Sequence, residues 1–234
     1  MAVNTSDTRI NALFSSGDFP ELDMLLSLIE RGGDALRSEV VCEIDNHGER
    51  LPVHCIELGN RDPEVPVIGF FGGIHGVERI GTQVLLAFLH SLVERLPWDE
   101  SLAHTLSRAR LVFMPLVNPG GMRNRTRCNP AGVDLMRNAP VEADGKVPFM
   151  LGGQRWSPRL PWYRGDAGQP MQAEAAAVCK AVEERLLGHR FALSIDCHSG
   201  FGLRDRIWFP YARSREPVSC LADIYALRTL FRDT

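Results

Sequence analysis

The fold turns on residues 65–78, Val65-Pro66-Val67-Ile68-Gly69-Phe70-Phe71-Gly72-Gly73-Ile74-His75-Gly76-Val77-Glu78. From 65 to 71 the run is apolar without alternation, which is the pattern of a strand covered on both faces. Two glycines then release the chain. The stretch from about 78 to 95 carries Val84, Leu85, Phe88, Leu89 and Leu92 at helical spacing. A buried strand that hands over to an amphipathic helix is the repeating unit of a parallel sheet.

Working outward, the same kinds of segment recur. Residues 110–117 read as a second buried strand, stopped by Asn118-Pro119-Gly120-Gly121, and 191–196 as a further apolar strand. An Ala-rich helix is expected over 171–187, and a capped amphipathic helix over 18–31, ended by Gly32-Gly33. Residues 39–44 and 51–58 form a hairpin joined through Asn46-His47-Gly48. A short strand at 207–209 and a helix at 218–231 close the chain. This alternation predicts an α/β fold, a three-layer α/β/α sandwich around a mixed, largely parallel sheet, in one domain over 1–234. Residues 118–170 hold seven prolines and many glycines with little periodicity, and loops of that length are usually functional.

Composition excludes several classes. With 234 residues, 44% hydrophobic and 24% charged, the chain is neither disordered, collagenous nor a coiled coil. The longest apolar stretch, 65–74, is about half of a bilayer crossing, and the first residues lack the basic and apolar regions of a signal peptide. A net charge of −3 gives no general reason to bind nucleic acid or a membrane. Six cysteines are scattered with no CxxC pair, which points to a reducing compartment and a cytoplasmic location. Arginine outnumbers lysine 24 to 2, so the placing of the arginines says more than their number.

In parallel sheets the active site lies at the carboxyl ends of the strands. Three segments fall there. The first, His75-Gly76-Val77-Glu78, sets an imidazole and a carboxylate three residues apart on a turn, where both can face one metal ion. Alone, this spacing is more often that of a helix-capping Glu beside a hydrogen-bonded His. The second, Asp196-Cys197-His198-Ser199-Gly200, offers His198 as a third ligand, with Asp196 as a hydrogen-bond partner or facing away. A Cys197–His198 nucleophilic pair is disfavoured, because adjacent strand residues point to opposite faces. The third runs over 118–127 and 132–138. It holds Arg123, Arg125, Arg127 and Arg137, some of which can anchor a carboxylate or a developing oxyanion. A nucleotide site at Gly72-Gly73 is the weakest reading, since the spacing is not GxGxxG and no P-loop lysine follows.

Taken together, these segments resemble the M14 zinc carboxypeptidase superfamily over roughly residues 64–210. The resemblance rests on His75 and Glu78, the Asn118–Gly121 turn, the Gly132-Val133-Asp134-Leu135-Met136-Arg137-Asn138 stretch and the later His198, in the family's order. The Asp-x-His-Ser form at His198 is similar to the succinylglutamate desuccinylase and aspartoacylase branch, whereas the stretch ending in Arg137-Asn138 is similar to the carboxypeptidases.

The resemblance implies one Zn²⁺ held by His75, Glu78 and His198. It implies Arg127, with Arg125 as second choice, polarising the scissile carbonyl. It further implies Arg137 holding the substrate carboxylate, with Asn138 sharing that work because Met136 stands where the family usually has Asn. The implied substrate is a small peptide or an acylated amino acid. The family's general base is a Glu well beyond the last ligand. This sequence ends 36 residues after His198, and its later acids are Asp205, Glu216, Asp223 and Asp233. The expectation is therefore a C-terminally incomplete domain with no identified base, in which metal or ligand binding without turnover is an alternative.

Overall fold

The first two strands form a hairpin closed by a two-residue turn. Strands β1 (Arg37–Asn46) and β2 (Glu49–Gly59) pair antiparallel from Arg37↔Glu57 to Asn46↔Glu49. The two residues between them, His47 (φ 56) and Gly48 (φ 96), both have positive φ. That is the type I′ geometry that matches strand twist, and Asp45 Oδ1 accepts from the Gly48 amide at 2.7 Å. Both strands run beyond their expected limits, at the turn because it needs only two residues and at the far ends by a residue or two. The computed structural model from which this is taken describes residues 18–147, 152–200, 206–209, 211 and 213–232.

Three further strands complete a five-stranded sheet in the order β1-β2-β4-β3-β5: β3 (Val67–Gly72), β4 (Arg110–Met114) and β5 (Ala192–Cys197). β2 pairs antiparallel with β4, while β3 is parallel to both β4 and β5. The sheet is thus mixed, with the predicted layers on its two faces. β4 ends three residues early at Pro115, which has no amide to donate. Pairing resumes beyond it, from Val117 N to Gly72 O and from Asn118 N to Gly73 O.

On one face lie α1 (Pro20–Gly32), α2 (Arg79–Arg95) and α3 (Glu100–Ser107). Leu25, Leu28, Leu86, Leu89, Leu102 and Leu106 from these helices pack on Ile56, Leu58 and Phe113. On the other face, Ala175, Ala177 and Ala181 of α5 (Ala173–Arg185) cover Val53, Cys55, Val67, Val112 and Met114. Neighbouring residues of one strand divide between the two cores, as a period of two requires. Small alanines let α5 lie close to the sheet.

Some sequence expectations are corrected. In α2 the buried face is Leu85, Leu86, Leu89, Leu92 and Val93. Val84 and Phe88 lie on its exposed side, although Phe88 still meets Phe70 edge-on at 5.5 Å. Helix α3 was not expected; Asp99 caps it by accepting from the Leu102 amide at 3.0 Å. The stop signal at 118–121 opens a short helix, α4 (Pro119–Asn124), where the Asn118 side chain accepts from Gly121 N and Pro119 takes the first position. Residues 206–209 are irregular rather than a strand. The last helix, α6, spans Leu221–Arg232. The six cysteines are all unpaired. No helix among the described residues is long and apolar enough to cross a membrane.

Candidate metal centre

Because β3, β4 and β5 are mutually parallel, their carboxyl ends lie on one edge of the sheet, and the three predicted segments leave from it. His75 and Glu78 follow β3 on a tight turn closed by the Glu78 amide donating to His75 O at 3.0 Å. Asn118, fully buried, ties this turn to the neighbouring one: its Nδ2 donates to Ile74 O, and the Gly76 amide donates to Arg127 O. His198 directly follows β5, whose Cys197 is in register with Gly72.

The result is that one donor atom each of His75, Glu78 and His198 lies within 4.8 Å of the others. The two imidazole rings are 5.1 Å apart, edge to face. His75 is 1% exposed and neither of its ring nitrogens has a hydrogen-bond partner. Asp134 Oδ1 lies 3.5 Å from His75 Nε2, close enough for charge interaction but too long for a hydrogen bond. Burial, with Arg127 next, pushes the His75 pKa down to about 4, so the ring is a neutral imidazole with a lone pair to give. His198 is shifted the other way, chiefly by its hydrogen bond to Asp196 at 2.9 Å.

Arg127 reaches the cluster from the loop after α4. Its Nη1 donates to Glu78 Oε1 at 3.0 Å and its Nε to Asp134 Oδ2 at 3.1 Å. Arg137 Nη1 donates to the same Asp134 oxygen at 3.0 Å, and its guanidinium lies over the Trp162 ring at 5.3 Å. Ser199 N donates to the second Glu78 oxygen at 3.2 Å. The Asn138 amide is taken up within the loop, donating to Arg164 O at 2.8 Å and accepting from Gln172 N at 2.7 Å. Arg125 stands at the end of α4 with φ 55 and its side chain exposed. Met136 is exposed as well. Glu216 and Asp223 are exposed; Asp205 and Asp233 lie outside the described residues.

Sequence reasoning gave Asp134 no role, yet it is fully buried and is the shared acceptor that joins Arg127 and Arg137 beside His75. Its signal was the three-residue spacing to Arg137. Trp162 was also missed; a bulky residue at φ 62 is unusual and marks a loop held by its surroundings.

An open mixed sheet with two imidazoles and a carboxylate gathered at the carboxyl ends of its strands defines an α/β protein with a candidate metal centre of the zinc-enzyme type. The family model described as Peptidase M14, zinc carboxypeptidase, matches residues 38–232, and the chain belongs to the M14 zinc carboxypeptidase family. Human carboxypeptidase D is 34% identical over 186 residues, covering 73% of this chain and 11% of that protein. Carboxypeptidase D of Anas platyrhynchos is 24% identical over 184 residues, with 73% and 12% covered. The chain therefore spans only about an eighth or less of these relatives. Among solved structures, thrombin activatable fibrinolysis inhibitor superposes with a TM-score of 0.65 at 19% identity, over 90% of this chain and 55% of that one. A metallo-carboxypeptidase from Burkholderia cenocepacia gives 0.52 at 16% identity, over 77% and 40%.

Proposed function

We propose that the chain binds one Zn²⁺ through His75, Glu78 and His198 and hydrolyses an amide bond next to a free carboxylate in a small peptide. The observation that carries the reading is His75, a fully buried imidazole with both nitrogens unpartnered, facing a second imidazole and a carboxylate. Two nitrogens and one oxygen form a common catalytic zinc donor set, and the low pKa of His75 keeps it in the ligating form. A zinc ion held there supplies Lewis acidity and a more acidic bound water.

The chain's own residues do the rest. Asp134 holds Arg127 and Arg137 side by side, so two guanidinium groups face the same edge. Arg127, rather than the exposed Arg125, offers its donors to the carbonyl oxygen as negative charge develops there. Arg137, placed over the Trp162 ring, receives the substrate carboxylate, for which a planar fork is suited. Asn138 supports that anchor by tying the Arg137 turn to residues 164 and 172.

One observation favours a second reading, metal binding without turnover. The carboxylates described at the site already have partners: Glu78 with Arg127 and Ser199 N, Asp134 with both arginines, Asp196 with His198. Apart from the buried Oδ1 of Asp134, none stands unpaired as a general base would.

The test is elemental analysis of the purified chain, His75→Ala and His198→Ala, joined to an assay of amino-acid release from blocked dipeptides and acylated amino acids. One zinc in the wild type and none in either variant is expected, with chelator-sensitive release from the dipeptides. Full occupancy in both variants overturns the metal assignment. Cleavage of acylated amino acids alone moves the reading to a deacylase, and zinc without release to the second reading.

A further inference from the structure

We propose that Glu21 is a positioning residue for the candidate metal centre, acting through Arg79 on the neighbouring ligand Glu78; this rests on the zinc reading above. Glu21 lies in the first turn of α1 and is wholly inaccessible to solvent. Carboxylates are almost never that buried unless paired. Here the partner is the first residue of α2. Arg79 Nε donates to Glu21 Oε1 at 2.7 Å and Arg79 Nη2 to Oε2, a two-point fork, and Gln83 Nε2 adds a third bond at 3.0 Å. Burial pushes the Glu21 pKa up, but the bonds from Arg79 and Gln83 outweigh it and leave it below the usual range.

Arg79 and Gln83 are four apart and share one face of α2. Bonding both to one fixed carboxylate sets the rotation of the helix about its axis as well as its position. Glu78 is the residue immediately before Arg79, at the N-cap, and its side chain makes no capping bond. It turns instead toward Arg127 and Ser199 N. With about 3.8 Å between consecutive α-carbons, a shift at Arg79 is passed on to Glu78 almost whole. The helix has no slack on the opposite side, because a side chain at Gly81 would collide with the carbonyl oxygen of Cys197, one residue before His198. The first turn of α2 is thus held between α1 and the end of β5, and Glu78 is aimed by both.

Adhesion between the helices does not require this pair. Leu25 and Leu28 already pack with Leu86 and Leu89 in one apolar core, and an ion pair that must desolvate a carboxylate completely is a poor net stabiliser compared with apolar residues of the same volume. What the fork adds is direction.

The experiment measures Zn²⁺ affinity by competition with a chromophoric chelator, and the thermal midpoint without metal, for the wild type, Glu21→Gln, Arg79→Met, the double variant and Leu28→Ala. Each clamp variant should bind zinc about 10-fold more weakly. The double variant should be no weaker than either single one, because the two residues act as a unit. Leu28→Ala removes an apolar contact of the same helix pair. It should lower the thermal midpoint at least as far as Glu21→Gln yet keep its affinity within about twofold of wild type, against the tenfold expected for the clamp variants. If Glu21→Gln does not fold, Gln83→Ala, at a half-buried position, carries the test with an expected loss of about two- to threefold, a third of the fork's tenfold. Wild-type affinity in the clamp variants overturns the proposal and leaves the zinc reading intact. An equal loss in Leu28→Ala also overturns it. A wild type that binds no zinc overturns both.

Discussion

His198 Nδ1 lies 2.9 Å from the carboxylate of Asp196, two residues before it on β5. Residues two apart on a strand share a face, and that alternation carried one residue past the end of β5 puts His198 on the side of Asp196. Nδ1–H donates to the carboxylate, which orients the ring and, in the neutral imidazole, leaves Nε2 with its lone pair. Such partners raise ligand basicity and hold the ring where the metal needs it.

Replacing this acceptor should therefore cost zinc rather than fold. Asp196→Asn is expected to weaken Zn²⁺ binding about 10-fold, and Asp196→Ala somewhat more. The thermal midpoint of the metal-free protein should move little, since Asp196 is a third exposed at an edge strand. Chelator competition together with a melting curve reads both. Unchanged affinity in both variants would remove Asp196 from the site.

Asp134 should behave in the opposite way, with fold and site failing together. It is wholly buried and accepts from Arg127 and Arg137. Asp134→Ala strands the Arg137 guanidinium and leaves Arg127 with its bond to Glu78 alone. Breaking a fully buried pair costs about 3–5 kcal/mol, but Arg127 and Arg137 keep some contact with solvent, which brings the expectation to roughly 2–3 kcal/mol. Asp134→Asn, which keeps an acceptor, should cost less. Urea unfolding of the three proteins tests this, and a loss below about 0.5 kcal/mol for Asp134→Ala, the level of an ordinary surface substitution, would contradict it.

A pH dependence follows from Glu174. This residue is almost wholly buried on α5, with Asn129 Nδ2 donating to it at 3.1 Å. Burial is the largest influence and pushes its pKa above the ordinary 4.5, the bond from Asn129 opposing it. A raised folded-state pKa means that the folded chain holds the proton more tightly. Its contribution to stability is complete below about pH 4.5 and is lost as pH rises through the folded value. Glu174→Gln keeps an acceptor for Asn129 and carries no charge. Its urea midpoint should exceed that of the wild type at pH 8, and the gap should close by about pH 4. A gap that is the same at both pH values would show that the charge at Glu174 is not the cause.

How much of this was legible in the sequence depends on whether the cause was local. The run at 65–71 announces β3 because a strand covered on both faces needs no polar residue, and the polar punctuation after it exposes His75 and Glu78. β5 and His198 were legible from the mostly apolar run before the polar, glycine-containing segment 198–200, although β5 itself is covered only in part. Helix α3 was not, since eight residues with two buried leucines give too little periodicity. The face of α2 was taken one step off, because Phe88 is apolar yet lies at the margin of the core, against Phe70. Glu21 gave no local sign at all: its partners stand 58 and 62 residues further on, and only the packing of α1 on α2 brings them together. Asp134 was visible as part of a motif, but its work lies in joining residues 75, 127 and 137, a convergence that exists only in three dimensions.

Gly76 gives the sharpest test of how the His75–Glu78 turn is held. A β-carbon there would run into the Gly121 carbonyl and the Met122 amide of α4, which are main-chain atoms with no rotamer to change. Gly76 does not have a positive φ, so backbone strain is not the obstacle and Gly76→Ala acts by overlap alone. The turn and α4 must separate, which stretches the Gly76 amide bond to Arg127 O and the Asn118 bond to Ile74 O. Overpacking of this kind costs about 1–3 kcal/mol. Because the displaced atoms belong to the turn that carries His75 and Glu78, zinc affinity should fall by more than 10-fold, beyond the effect of Asp196→Asn. Gly48→Ala is the comparison: its φ is positive, so it is strained too, but nothing lies within 4 Å of the added atom. It should lose stability through the hairpin turn and keep its zinc. If both variants lose stability and zinc in proportion, the metal centre depends on global stability and not on the contact between Gly76 and Gly121.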